Sequence, residues 1–138
     1  MILEFVAPNR PLSENEKRKM RHWAQWRRRL DPWHEATMWA WLQAKPGERA
    51  SIVKDVLNSG VDVLVELPFP KNARRDPHNY VGTNVKSIVD ALTTKTVKGT
   101  VTWAGAWPDD NPAYVTVIEP LLAVGTDVVR VHLTKREK

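Results

Sequence analysis

The chain has 138 residues, 21 Lys and Arg against 16 Asp and Glu, and no Cys. That length predicts one domain with a core that needs no staples, and the missing Cys excludes disulfides, thiolate zinc sites and a Cys nucleophile. The formal charge of +5 is modest, so the placement of the cations matters more than their total, and seven Trp dominate the aromatic content.

Ile2 to Val6 is a short apolar run that ends at Pro8 and reads as a strand. Ser13 with Glu16 makes a capping box. It predicts a helix over about 14 to 30 whose buried stripe is Met20, Trp23, Trp26 and Leu30. Asp31 suits an N-cap and Pro32 the first helical position, so a second helix is expected from there. It carries Trp33, Met38, Trp41 and Leu42 and stops near Pro46-Gly47. A third helix, about 48 to 58, puts Ile52, Val53, Val56 and Leu57 on one side, with Gly60 placed to cap its end. The Trp residues at 23, 26, 33, 39 and 41 read as core or dimer interface.

Val61 to Leu67 alternates with β-branched residues and reads as a strand. Lys71 to Asn79 is a basic, polar loop, and a helix over about 79 to 93 follows, with Val81, Val85, Ile88 and Leu92 inward. Residues 95 to 103 read as a small hairpin around Lys98-Gly99, and Trp107 to Pro112 as a loop. Tyr114 to Ile118 and Val128 to Leu133 read as closing strands, and the charged tail over 134 to 138 as frayed. The order describes an α+β fold over 1–138: a small mixed or antiparallel sheet packed against helices, most of them in the 13–58 region.

No phosphate-cradling glycine motif is present, His34-Glu35 lacks the second His of a zinc protease helix, and no Ser sits in a nucleophile elbow. The longest apolar-rich run, Val61 to Phe69, contains Asp62 and Glu66, so no membrane span is expected. The N-terminal residues lack the pattern of a signal peptide, and the expected location is cytoplasmic.

Two features carry chemistry. One is the loop Arg74-Arg75-Asp76-Pro77-His78-Asn79 between a strand and a helix; the other is Asp109-Asp110 before a strand. Acids at element ends beside a basic loop suggest a hard-cation site facing a phosphate polymer, and oxygen ligands suit Mg²⁺. Lys71, Arg74 and Arg75 would neutralise phosphates, as would Arg18, Lys19, Arg27, Arg28 and Arg29 on the first helix.

These pieces, in this order, resemble the RusA-type Holliday junction resolvases, dimeric endonucleases common in bacteriophages and prophages. The family core reads R-R-D-x-D-N, then a helix with a Lys and D-A-L, then A-G-x-W-x-D-D before a strand. Here stand Arg74-Arg75-Asp76-Pro77-His78-Asn79, Lys86, Asp90-Ala91-Leu92, and Ala104-Gly105-Ala106-Trp107-Pro108-Asp109-Asp110. Pro11-Leu12-Ser13-Glu14-Asn15 is similar to the family's P-P-S-x-N element. The match covers about residues 61 to 133.

The resemblance implies metal ligands at Asp76 and Asp110, an acidic neighbour at Asp109, and Lys86 acting on the scissile phosphate or leaving group. It implies a homodimer that cuts branched double-stranded DNA, a four-way junction, by paired nicks leaving 5′-phosphate and 3′-hydroxyl. Its cofactor would be Mg²⁺, and its place the host cytoplasm if phage-encoded.

The chain departs from the pattern in three places. His78 replaces the second loop Asp; imidazole tolerates Mn²⁺ better than Mg²⁺, and it would otherwise serve as a general base. Four residues more than the family spacing separate Asn79 from Lys86, which in an α-helix keeps Lys86 on the same face about 6 Å along the axis. The segment from Thr93 to Trp103 is longer by about nine residues, which supports the hairpin.

Each residue also has a plain structural role open to it. Asp76 and Asp110 suit caps or turns, His78 an exposed loop, and Lys86 an i,i+4 pair with Asp90. Trp107 is read as packing under its loop, with stacking on an unpaired base as the alternative. The competing function is a junction-binding module that has lost cleavage through His78; a structural protein with a basic surface is the third.

Overall fold

The computed structural model describes residues 1–137. Its centre is strand β2 (Val61–Phe69), in which Val61, Val63, Val65 and Leu67 all face inward and are fully buried. The period of two in the sequence thus becomes one buried face and one half-exposed face. Antiparallel to β2 lies β7 (Val128–Lys135), and antiparallel to β7 lies β1 (Ile2–Val6). The register aligns Leu3, Val131 and Val65 across the three strands, which makes one apolar row.

The other edge of β2 is shared. β5 (Val115–Val117) pairs in parallel with Val61 to Val63, and β6 (Leu121–Val124) pairs in parallel with Glu66 to Phe69. Between them the Ile118 N–H still reaches the Val63 carbonyl at 2.8 Å. The two are one edge strand interrupted at Glu119-Pro120. The α+β class and the mixed sheet are those expected, while β6 was not foreseen. Leu121 and Val124 are half exposed on that edge, so β6 lacks the alternation that betrays a strand.

The helices α1 (Glu14–Lys19), α2 (Trp23–Gln43) and α3 (Pro46–Asn58) follow β1. The capping box is present: Ser13 Oγ accepts the Glu16 N–H at 3.1 Å and Glu16 Oε1 accepts the Ser13 N–H at 3.3 Å. The expected helix boundary at Asp31-Pro32 does not exist. The break falls at Met20 to His22 instead, and α2 runs straight through Pro32. Leu30, Trp33, Thr37 and Trp41 form one buried stripe in phase with one helix. Burying Trp33 and Trp41 offsets the roughly 3 kcal/mol that an interior Pro costs. Of the five Trp read as core or dimer interface, Trp33 and Trp41 are in the core, while Trp23 and Trp39 are exposed by 57% and 64%.

Pro77–Tyr80 forms a 3₁₀ turn, Val81–Val85 a π turn, and α4 (Lys86–Ala91) completes the segment read as one helix. Thr83 and Asn84 are buried there and hold the chain before α1: the Leu12 N–H donates to Asn84 Oδ1 at 2.8 Å, and Thr83 Oγ1 donates to the Leu12 carbonyl. The hairpin of β3 (Lys95–Val97) and β4 (Thr100–Trp103) is as expected. Lys98 and Gly99 both take positive φ, 50° and 79°, as a tight two-residue turn requires. The tail is not frayed where it is described: β7 runs to Lys135, and Arg136 donates to the Pro112 carbonyl at 3.0 Å, with its backbone N–H on Gly60. Lys138, the last residue of the expected tail, lies outside the described residues.

Candidate functional site

Asp76 is an N-cap. Its Oδ1 accepts the backbone N–H of His78 at 3.0 Å and its carbonyl accepts that of Asn79 at 3.1 Å. Pro77 fills the first position of the turn, where a missing N–H costs nothing. This local device positions His78, whose Nε2 lies 3.4 Å from Glu119 Oε1. Glu119 sits in the interruption between β5 and β6. Sequence reading missed it; its signal was an acid followed by Pro, wedged between the apolar runs Val115 to Ile118 and Leu121 to Val124.

Asp109 and Asp110 are exposed. Asp109 Oδ1 accepts the Asn111 N–H at 2.8 Å, a turn closed further by Asn111 Oδ1 on the Ala113 N–H at 2.9 Å. This turn leads into β5 at the end of the sheet where β2 begins, whereas Asp76 and His78 follow the end where β2 finishes. Among the described residues, no three His, Asp or Glu side chains stand close enough to share a metal ion. The expected cluster of Asp76, His78 and Asp110, with Asp109 beside it, is therefore not assembled. His78 meets Glu119 instead.

Lys86 does not follow the α-helical arithmetic. A 3₁₀ turn and a π turn separate it from Asn79, and neither has the rise or phase of an α-helix. Lys86 opens on a cavity of about 540 Å³ against α2, with Arg27, His34, Asp90 and Lys95 on its walls. It forms no ion pair with Asp90 among the described residues. In this cavity burial, then the charge of Lys95, holds the His34 pKa below its usual value, against a smaller pull from Asp90 and Asp31.

The cations divide into two groups. Arg75 lies 4.1 Å from the Phe69 ring centroid and donates to the Lys71 carbonyl at 3.0 Å, so it shapes the loop. Arg29 is tied to the Asn9 side chain and the Arg10 carbonyl, and Arg27 reaches Asp31 at 3.8 Å. Arg18, Lys19, Arg28, Lys71 and Arg74 are exposed and form no ion pair among the described residues. Of the cations expected to contact phosphate, these five are the ones whose side chains the described ion pairs and hydrogen bonds leave free.

The Ala-Gly-x-Trp stretch has a structural explanation. The Ala106 N–H donates to the Leu92 carbonyl at 2.7 Å, Trp103 Nε1 to the Ala91 carbonyl at 2.9 Å, and Trp107 Nε1 to Thr93 Oγ1 at 2.9 Å. The first two satisfy carbonyls at the end of α4, and the third anchors Trp107 to the Thr93 hydroxyl just beyond it. Trp107 is buried and offers no face to a base.

No family model matches this chain, and no curated protein matches it. Among the described residues no helix is long and apolar enough to cross a membrane.

Proposed function

We propose that this protein is a metal-dependent endonuclease of the RusA-like kind that cuts branched double-stranded DNA. The observation that carries the proposal is the meeting of His78 with Glu119 next to Asp76, in the loop that also carries Lys71 and Arg74, which form no ion pair among the described residues. Carboxylate donors suit Mg²⁺ or Mn²⁺, and Mg²⁺ is commonly held by one or two carboxylates with waters and substrate phosphate rather than by a full protein cage. Glu119 and the free oxygen of Asp76 would hold the ion, with waters and a substrate phosphate completing its shell. An ion held there would polarise the phosphoryl oxygen and acidify a coordinated water.

The chain's own residues do the rest. Lys71 and Arg74 offset the charge of the phosphates flanking the cut. Glu119, 3.4 Å from His78 Nε2, would draw the ring proton to that nitrogen, which leaves Nδ1 to take a proton from the attacking water. Lys86 contacts the backbone from the cavity side. Asp109 and Asp110 are given no ligand role. Hydrolysis by in-line attack leaves 5′-phosphate and 3′-hydroxyl ends. A two-fold homodimer supplies two identical sites for two opposed nicks, in the cytoplasm of its host.

A second reading is a junction-binding module without cleavage, favoured by the lack of a three-ligand group among the described residues. Nicking of a labelled four-way junction in Mg²⁺, Mn²⁺ or chelator separates the two. Paired nicks that need the metal support the endonuclease. Binding without nicks in any metal leaves the module, and no junction binding removes both.

A further inference from the structure

Residues 17 to 30 hold seven Lys and Arg and no acid. The chain bends within this run, at Met20 to His22, between α1 and α2. His22 caps the second helix, its Nδ1 accepting the Ala24 N–H at 3.3 Å. That cap makes Trp23 the first residue of α2 and holds it at the surface, 57% exposed. The Arg27 guanidinium stands 5.2 Å from the Trp23 ring centroid and the His22 ring 5.7 Å from it. One turn on, Lys17 lies 4.3 Å from the half-buried ring of Trp26. The core does not use Trp23, because the buried stripe of α2 begins at Leu30.

We infer that this elbow binds an unpaired nucleotide, with Trp23 stacked on the base and Arg18, Lys19 and Arg28 on the flanking phosphates. The inference rests on the DNA-binding half of the proposed function. Bases inside a duplex cover one another's faces, whereas an unpaired base, as at a branch point, offers a free π-face. An exposed aromatic ring beside Arg is a sequence-tolerant receptor for it. Charge selects the partner: an acid-free run of cations complements a polyanion. A membrane surface would need a continuous exposed apolar face, but the apolar stripe of α2 is turned into the core.

The test is fluorescence anisotropy with labelled (dT)12 and a blunt 12-base-pair duplex, at low salt and in chelator, so that no cleavage is involved. Trp23→Ala is expected to weaken (dT)12 binding about tenfold, or ~1.4 kcal/mol, within the worth of one base stack. Duplex binding should stay unchanged, and Trp23→Phe should retain most of the (dT)12 affinity. Equal losses on both DNAs, no loss on either, or no (dT)12 binding by the wild type overturns the inference. So does a Trp23→Ala variant that keeps (dT)12 affinity but releases phosphatidylserine vesicles or splits a dimer in sedimentation. A protein that never nicks a junction yet gives the expected anisotropy pattern loses the endonuclease reading and keeps this one.

Discussion

His78 Nε2 stands 3.4 Å from Glu119 Oε1, joining the turn after β2 to the break in the edge strand. Both side chains are more than half exposed, so the contact is open to substrate and worth little to stability. Its value is geometric. Glu119→Gln keeps the shape and removes the charge; His78→Ala removes the ring. Both are expected to slow junction nicking by about 10²-fold, the scale of a lost general base, with unchanged melting and junction affinity. Wild-type nicking by both variants would take the pair out of the chemistry.

Asp76→Asn separates charge from capping. Asn caps a helical turn about as well as Asp, so the bond to the His78 N–H survives and the melting temperature should hold. Cleavage should be lost while junction binding persists. A variant that nicks at the wild-type rate would leave Asp76 with the cap alone.

Five of the cations expected to contact DNA form no ion pair or side-chain hydrogen bond among the described residues, and Lys86 adds a sixth from the cavity side. With about six contacts, junction affinity should fall by roughly 10³ between 50 and 200 mM salt, since each contributes about −0.9 to the log–log slope. Arg28→Gln should lower the slope by about one contact, and Arg29→Gln should cost stability instead, because Arg29 is spent on Asn9 and Arg10. Titrations of the two variants at four salt concentrations, with thermal melts, check the division. A salt-independent affinity would remove the DNA-binding reading.

Local chemistry was legible in the sequence wherever one residue type answers one backbone need. The Ser13 box, Gly60 at φ 80° past α3, and the Lys98-Gly99 turn all came out where their residues put them. Errors arose where packing over a long range outvoted a local signal. Pro32 has the look of a helix start, but Leu30 and Trp33 flank it on one buried stripe. His22 is not among the strong caps, so nothing marked the break before Trp23. At the site, Asp76 and His78 were visible because a loop keeps its own geometry. Glu119 was not, because its nearness to His78 depends on the parallel pairing of β5 and β6 with β2. The distance of Asp110 from that pair has the same origin.

Gly105 tests the structural account of the Ala-Gly-x-Trp stretch. A Cβ there would stand 2.2 Å from the Leu92 carbonyl oxygen, a backbone atom that cannot swing aside. Gly105→Ala is expected to destabilise the fold by about 1–3 kcal/mol, as overpacking does, read as a drop in the urea midpoint. Gly47→Ala, with nothing within 4 Å of the added carbon, is the control and should leave the midpoint within about 0.5 kcal/mol. If both variants melt together, the stretch does not press on α4.

His34 sets a pH dependence of stability whose sign follows from its surroundings. Burial and the charge of Lys95 hold its folded pKa below the ordinary 6.5, and the acids Asp90 and Asp31 do not reverse this. Lys17, Arg27, Lys86 and Glu35 also line the cavity, so the facing charge includes both signs. As pH falls through about 6.5 the unfolded chain takes up the proton first, and folding stability drops. The loss continues until pH passes the lowered folded value; above about 6.5 the contribution is complete. His34→Gln cannot titrate. The gap in melting temperature between wild type and this variant should therefore shrink as pH goes from 7.5 to 5.5, while the other three His, shared by both proteins, cancel. Lys95→Gln removes the second cause and should narrow the window over which the gap shrinks. A gap that stays constant across this range would mean that His34 binds its proton equally well folded and unfolded, and that neither the cavity wall nor Lys95 weighs on it.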